Sequence, residues 1–223
     1  MKTRFFFKIV ITTLVNSIIL FIFAGRIDYF QGWIFLGTNL VTSLMTFAAT
    51  MNDSDLIKER STIGDGAKSW DKMILGLSAI SYIAFLAVSG LDSGRFGWSR
   101  QFPVFIFISG IILTIAGQFI FLTAKRENRF FSTVVRIQTE RGHKVCDTGV
   151  YRIVRHPGYC GMLLSLAALP MLTGSVWSII PAGIGIILLI IRTWLEDETL
   201  KKELAGYAEY SLLTKHRLVP GIW

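Results

Sequence analysis

The sequence predicts an all-α integral membrane protein, with about six transmembrane helices and a C-terminal amphipathic helix on the cytoplasmic side. Composition is the first reason. Of 223 residues, 52% are hydrophobic and the mean hydropathy is +0.53, too apolar for an ordinary soluble domain. Distribution is the second. The apolar residues fall in blocks at roughly Lys8 to Ala24, Trp33 to Met51, Met73 to Leu91, Phe102 to Ala124, Tyr159 to Thr173 and Val176 to Leu195. Each approaches the ~20 residues that a helix needs to cross a bilayer.

Charge supplies the third reason. The net charge of +8 does not point to nucleic acid, because the basic residues sort by side of the membrane. With the N-terminus inside, all of the 23 Lys and Arg except Arg26, Arg95 and Arg100 fall in inner segments, the asymmetry of the positive-inside rule. Both termini are therefore expected in the cytoplasm. Phe23-Ala24-Gly25 is a poor cleavage site, so the first block reads as a span and not a signal peptide. Cys146 and Cys160 both fall on the inner side, where thiols stay reduced; no disulfide framework, four-ligand zinc site or other metal is expected.

Residues 1–124 read as a four-span scaffold. Its inner loop, Asn52 to Asp71, mixes Asp53, Asp55, Glu59, Asp65 and Asp71 with Lys58, Arg60 and Lys68, lacks calcium-loop spacing and reads as a solvated surface. Trp98 in the outer loop is an interfacial anchor. Gly110 and Gly117, on one helical face of the fourth span, predict close helix packing.

Residues 125–223 carry the chemistry. The basic segment Lys125 to Val150 is long for a connection without a role, and its aromatics suit a stretch lying on anionic lipid. Next comes Gly149 to Gly161, the densest polar set placed directly against an apolar block, with Pro157 suited to a helix's first turn. Thr173-Gly174-Ser175 forces the last two spans into an antiparallel hairpin. Arg192 and Glu196, four apart and so on one helical face, thereby return to the level of Arg155 and His156. Thr199 to Leu213 reads as one amphipathic helix bearing Leu200, Leu204, Tyr207 and Leu212.

This topology gathers Gln138, His143, Tyr151, Arg155, His156, Tyr159, Arg192 and Glu196 at one polar mouth. Singly, each has a plain structural reading: Arg152 and Arg155 as residues snorkelling to lipid phosphate, His156 as a helix cap, Arg192 and Glu196 as an interfacial pair, the tyrosines as an aromatic belt. The set is what points to a ligand.

Residues 128–161 and 192–220 resemble the isoprenylcysteine carboxyl methyltransferase family, a membrane group related to the phospholipid methyltransferases. The resemblance rests on Gln138, His143 to Cys146, Gly149-Val150-Tyr151, Arg155-His156-Pro157-Gly158-Tyr159 with Gly161, Arg192 with Glu196 and Asp197, Tyr207 with Tyr210, and Arg217 to Pro220. It implies that residues 125–223 are a methyltransferase region binding S-adenosylmethionine on the cytoplasmic side and methylating an amphiphile that enters from the bilayer. Carried over by position, Gln138, His143, Lys144, Val145, Cys146, Tyr151, His156, Pro157, Gly158, Tyr159 and Glu196 contact the cofactor, Arg192 faces the methyl acceptor, and Arg192 and Glu196 are the catalytic pair. Glu196-Asp197 stands where the family usually has paired glutamates.

The chemistry of such a donor agrees with the list: with a carboxylate, an ammonium, a ribose and an adenine, it calls for donors such as His156, an acidic partner such as Glu196, and tyrosine faces. A carboxylate acceptor is already anionic and needs no general base, and Arg192 suits holding it. The implied acceptor is an isoprenylcysteine-like or other amphiphilic acid. A small thiol or a phospholipid amine stays open, with His143 or Glu196 as base. A transporter subunit or assembly factor is the competing class, but the chain lacks the repeats and midplane charges expected of a transporter.

Overall fold

A computed structural model describes residues 2–51 and 66–223, and its architecture is helical. The membrane-crossing candidates are α1 (Lys2–Ala24), α2 (Phe30–Thr50), α3 (Ser69–Ser89, continuing as a π-helical turn Gly90–Phe96), α4 (Val104–Glu127) and α6 (Ile179–Glu203); each is long and apolar enough to span a bilayer. Between the last two lies α5 (Pro157–Thr173), apolar but only 17 residues long. A short α7 (Tyr207–Leu213) follows. The chain is a multi-pass integral membrane protein.

Apolar faces supply the core around Leu20, Tyr29, Phe35, Phe85, Leu86 and Leu169. Because lipid is as apolar as leucine, close backbone packing has to hold such helices together. Gly117 on α4 and Gly161 on α5 provide it: a Cβ built at either would lie 2.4 or 2.3 Å from the other's carbonyl oxygen. The packing expected of Gly110 and Gly117 is present, Gly110 lying against Met171 and Leu172 of α5. Where the π-helical turn meets the α5–α6 connection, buried Asp92 accepts hydrogen bonds from the Ser99 amide (2.7 Å) and from the hydroxyls of Ser99 and Ser175 (2.6 Å each). That carboxylate ties the loop before α4 to the α5–α6 connection, which is short enough that the two packed helices run antiparallel as expected. Trp98 is exposed and stacks on Phe96, in keeping with an interfacial anchor.

Three expectations need correction. Asp71, assigned to a solvated loop, lies in the first turn of α3 and is fully buried; residues 52–65 of that loop lie outside the described residues. Arg155, assigned to lipid phosphate, is buried and committed to protein partners. The single tail helix is two. α6 stops at Glu203, and Gly206, at φ +82° where a side chain would be strained, turns the chain into α7. The turn buries Leu204, Tyr207 and Tyr210 while Leu212 stays exposed.

Candidate active site

Two cavities meet near the ends of α5 and α6. The first encloses about 790 Å³ of empty space, mouth included, among the irregular segment between α4 and α5, the start of α5, the end of α6, and α7. His143, Lys144, Val145, Cys146, Tyr151, His156, Gly158, Tyr159 and Glu196 line it, as the sequence suggests. Of the remaining expected contacts, Pro157 begins α5 beside it without lining it. Gln138 lies behind the wall, fully buried. Its amide nitrogen donates to the Phe130 carbonyl at 2.7 Å, and its oxygen accepts from Arg141 at 2.6 Å. Its backbone N–H donates to His143 Nδ1 at 3.3 Å, so in the neutral ring Nε2 carries the proton. Gln138 thus shapes the turn that presents His143.

Arg155, expected at the mouth, also lines this cavity, and sequence reasoning did not single out as contacts Asn128, Phe130, Phe131, Arg136, Leu200, Leu204, Tyr207 and Tyr210, which line it as well. Tyr207 and Tyr210 had a signal, a matched pair on an amphipathic tail. The aromatics of the basic segment had a weaker one. The pocket is therefore rich in aromatic faces around one carboxylate, Glu196, which accepts a hydrogen bond from the Tyr159 hydroxyl. Such a lining suits an organic cation. Burial pushes the phenols of Tyr151 and Tyr207 well above their ordinary value, and for Tyr207 nearby Asp197 adds to the shift. Both are neutral donors. Burial lowers the His143 pKa, helped by the Arg136 and Arg141 cations, so this ring is neutral too.

Asp197 points the other way. Its carboxylate is fully buried and accepts from Arg155 (Nε 2.7 Å, Nη2 3.0 Å), Tyr207 (3.0 Å) and Arg217 (2.9 Å), with Lys201 at 3.0 Å and His156 Nε2 at 3.4 Å. This hub fixes the N-terminus of α5 against α6 and the tail, and the Arg155 and His156 amides also donate to the carbonyls of His216 and Arg217 at 2.9 Å. The adjacent acids thus divide the work: Glu196 faces the cavity and Asp197 holds the frame. His156 belongs to both, bound to Asp197 on one side and stacked on Tyr159, ring centroids 5.7 Å apart.

Arg192 does not line the first cavity. It closes one end of a second, about 1330 Å³ of empty space running between the spans and lined also by Leu75, Phe121, Gly161, Leu166 and Ala182. Its guanidinium lies 5.3 Å from the centre of the Tyr159 ring, so Tyr159 and Arg192 form the partition between the cavities. Two-point contact with buried Asp71 (Nε to Oδ1 2.7 Å, Nη2 to Oδ2 3.3 Å) holds the guanidinium, and Nη2 also donates to the Thr133 carbonyl. Among the described residues Nη1 has no protein partner.

Residues 110–202 match the model of the Isoprenylcysteine carboxyl methyltransferase (ICMT) family. The family resemblance read from the sequence is borne out. A "Probable protein-S-isoprenylcysteine O-methyltransferase" of Oryza sativa subsp. japonica is 41% identical over 61 residues, 27% of this chain and 32% of that protein. "Protein-S-isoprenylcysteine O-methyltransferase B" of Arabidopsis thaliana is 34% identical over 89 residues, covering 40% of this chain and 41% of that protein. The chain thus spans about a third to two fifths of the length of these relatives. The family segment holds the polar partition and most of the first cavity, while Asp71, Tyr207 and Tyr210 lie outside it.

Proposed function

We propose that this protein is an S-adenosylmethionine-dependent methyltransferase of the membrane, transferring a methyl group to the carboxylate of an isoprenylcysteine-like or other amphiphilic acid. The observation that carries this reading is the pair of cavities meeting at Tyr159 and Arg192, one polar and aromatic, the other running between the spans. The lining of the first fits the donor: Glu196 for its ammonium, Tyr159, Tyr207 and Tyr210 for cationic sulfur and adenine, and His143, Lys144, Val145, Cys146, Tyr151, His156 and Gly158 for the rest. When bound, the donor supplies an electrophilic methyl group. Gln138 and Pro157 act here by shaping the wall.

Arg192, prepositioned by Asp71 and with one nitrogen free of protein partners among the described residues, binds the acceptor carboxylate at the partition. That carboxylate is ionised near neutral pH, so no side chain has to remove a proton. The work of the chain is alignment of the acceptor oxygen with the methyl carbon, and exclusion of water by the aromatic walls. The family relatives carry protein-S-isoprenylcysteine O-methyltransferase in their names, in line with this class of acceptor. In this reading residues 125–223 form the methyltransferase region on a scaffold of residues 1–124. The lipid bilayer delivers the acceptor, and the first cavity and both termini face the cytoplasm.

The test uses detergent-purified protein and radiolabelled S-adenosylmethionine. Wild type is expected to bind it, and His156→Ala to lose binding. Native membrane extracts incubated with the labelled donor should yield a base-labile methyl product, as an ester is. A base-stable product would point to a thioether or amine instead, and full affinity in His156→Ala would remove the site assignment.

A further inference from the structure

The second cavity is not lined as a slot for pure hydrocarbon. Asp71, Leu75, Ser78 and Tyr82 recur at spacings of four, three and four along α3 and so share one face. That face runs from the Arg192 ion pair outward along the cavity. At ~1.5 Å rise per residue, Ser78 and Tyr82 lie roughly 10 and 16 Å beyond Asp71. Across from them the cavity wall includes Asn39 of α2 and Gln118 of α4.

Several polar side chains of this wall are already occupied. Thr114 and Ser165 donate to carbonyls of their own helices, and Ser81 donates to Pro181. Four groups are different. Among the described residues, the hydroxyls of Ser78 and Tyr82 have no hydrogen-bond partner. Nor do the side-chain oxygens of Asn39 and Gln118, whose amide nitrogens donate to the Phe35 carbonyl and to Thr46. Uncompensated polar groups at bilayer depth are costly, and they gather where a cavity takes a polar guest.

We infer that the methyl acceptor is an oxygenated lipid acid, bearing a hydroxyl or carbonyl some 10 to 16 Å from its carboxylate, a reach set by helix rise. This rests on the proposed function for the carboxylate end at Arg192. The remote oxygen function is the new element: a hydroxyl there donates to Asn39 or Gln118 and accepts from Tyr82 or Ser78. A fully hydrocarbon chain of the same length would leave all four unpaired.

The test compares two detergent-dispersed probes, octadecanoic acid and its twelve-hydroxy derivative, binding to the full chain by displacement of a fluorescent fatty acid. The hydroxy acid is expected to bind about tenfold more tightly, the worth of one to two hydrogen bonds. Tyr82→Phe with Gln118→Leu should abolish the preference while leaving octadecanoic acid affinity within about twofold. If that pair does not fold by its thermal transition, Ser78→Ala with Asn39→Leu serves in its place. Equal affinities in wild type, or a preference that survives the substitutions, overturns the inference. Failure of the methyltransferase reading shows separately, as absence of methyl ester from an acid that nevertheless binds with the preference.

Discussion

Asp71 and Arg192, 121 residues apart, form a buried ion pair in which the carboxylate takes two nitrogens of the guanidinium, the shorter contact at 2.7 Å. The same carboxylate accepts the Val135 amide at 2.8 Å. One side chain of the scaffold therefore sets both the orientation of Arg192 and the path of the segment beneath it. Asp71→Asn is expected to keep donor affinity within about twofold and lower kcat roughly a hundredfold, the scale of a small misplacement of a reacting group. A loss confined to donor affinity would assign Asp71 to the other cavity.

Arg192→Ala should likewise spare donor binding, because Arg192 lies outside the donor cavity, while turnover collapses. Arg192→Lys keeps the charge but not the planar two-point geometry and should recover little of the activity. The readouts are equilibrium binding of the labelled donor and initial rates at saturating acceptor. Equal loss of donor affinity and rate would remove the acceptor role.

Asp197→Ala leaves the buried Arg155 guanidinium without its carboxylate. Removing one partner of such a pair costs about 3–5 kcal/mol, so the variant should unfold at markedly lower denaturant and release the tail from residues 155–156. Limited proteolysis near Thr214 to Leu218 reports that release. Asp197→Glu in a frame this tight should recover only part of the stability.

The pKa of His143 is held below its ordinary 6.5, by burial first and by the Arg136 and Arg141 cations second. The unfolded chain therefore takes up a proton near pH 6.5 that the folded chain accepts only at lower pH. The contribution to stability is complete above 6.5 and is lost as pH falls from there through the lower folded value. Nuclear magnetic resonance of the ring should show a midpoint below 6.5. The thermal transition of His143→Gln should vary less between about pH 5 and 7 than that of wild type.

Much of this was legible because the relevant signals are local. Apolar blocks mark the spans, a short connection after Thr173 forces the α5–α6 hairpin, and the run from Gly149 to Gly161 meets its matching acids because that hairpin leaves no alternative. What was not legible depends on partners distant in sequence. Asp71 looked like one more charge in a mixed loop, yet it begins the α3 face that continues through Leu75, Ser78 and Tyr82, and only the fold puts Arg192 beside it. Arg155 reads as a lipid-facing cation until Asp197 is placed next to it. Glu196 and Asp197 are indistinguishable as neighbours in sequence, and the helix sends one to the cavity and the other into the frame. The tail's break at Gly206 was hidden because the apolar spacing of Leu200, Leu204 and Tyr207 suits one continuous helix as well as a bent pair.

The contact of Gly117 with Gly161 bears on traffic. Both backbones touch there, and Gly161 with Phe121 forms part of the second cavity's wall. No acyl chain can slip between two helices whose main chains meet, so that flank is a closed seam. A guest arriving sideways from the bilayer has to pass between other helices, and its doorway is to be sought on the side opposite the glycines.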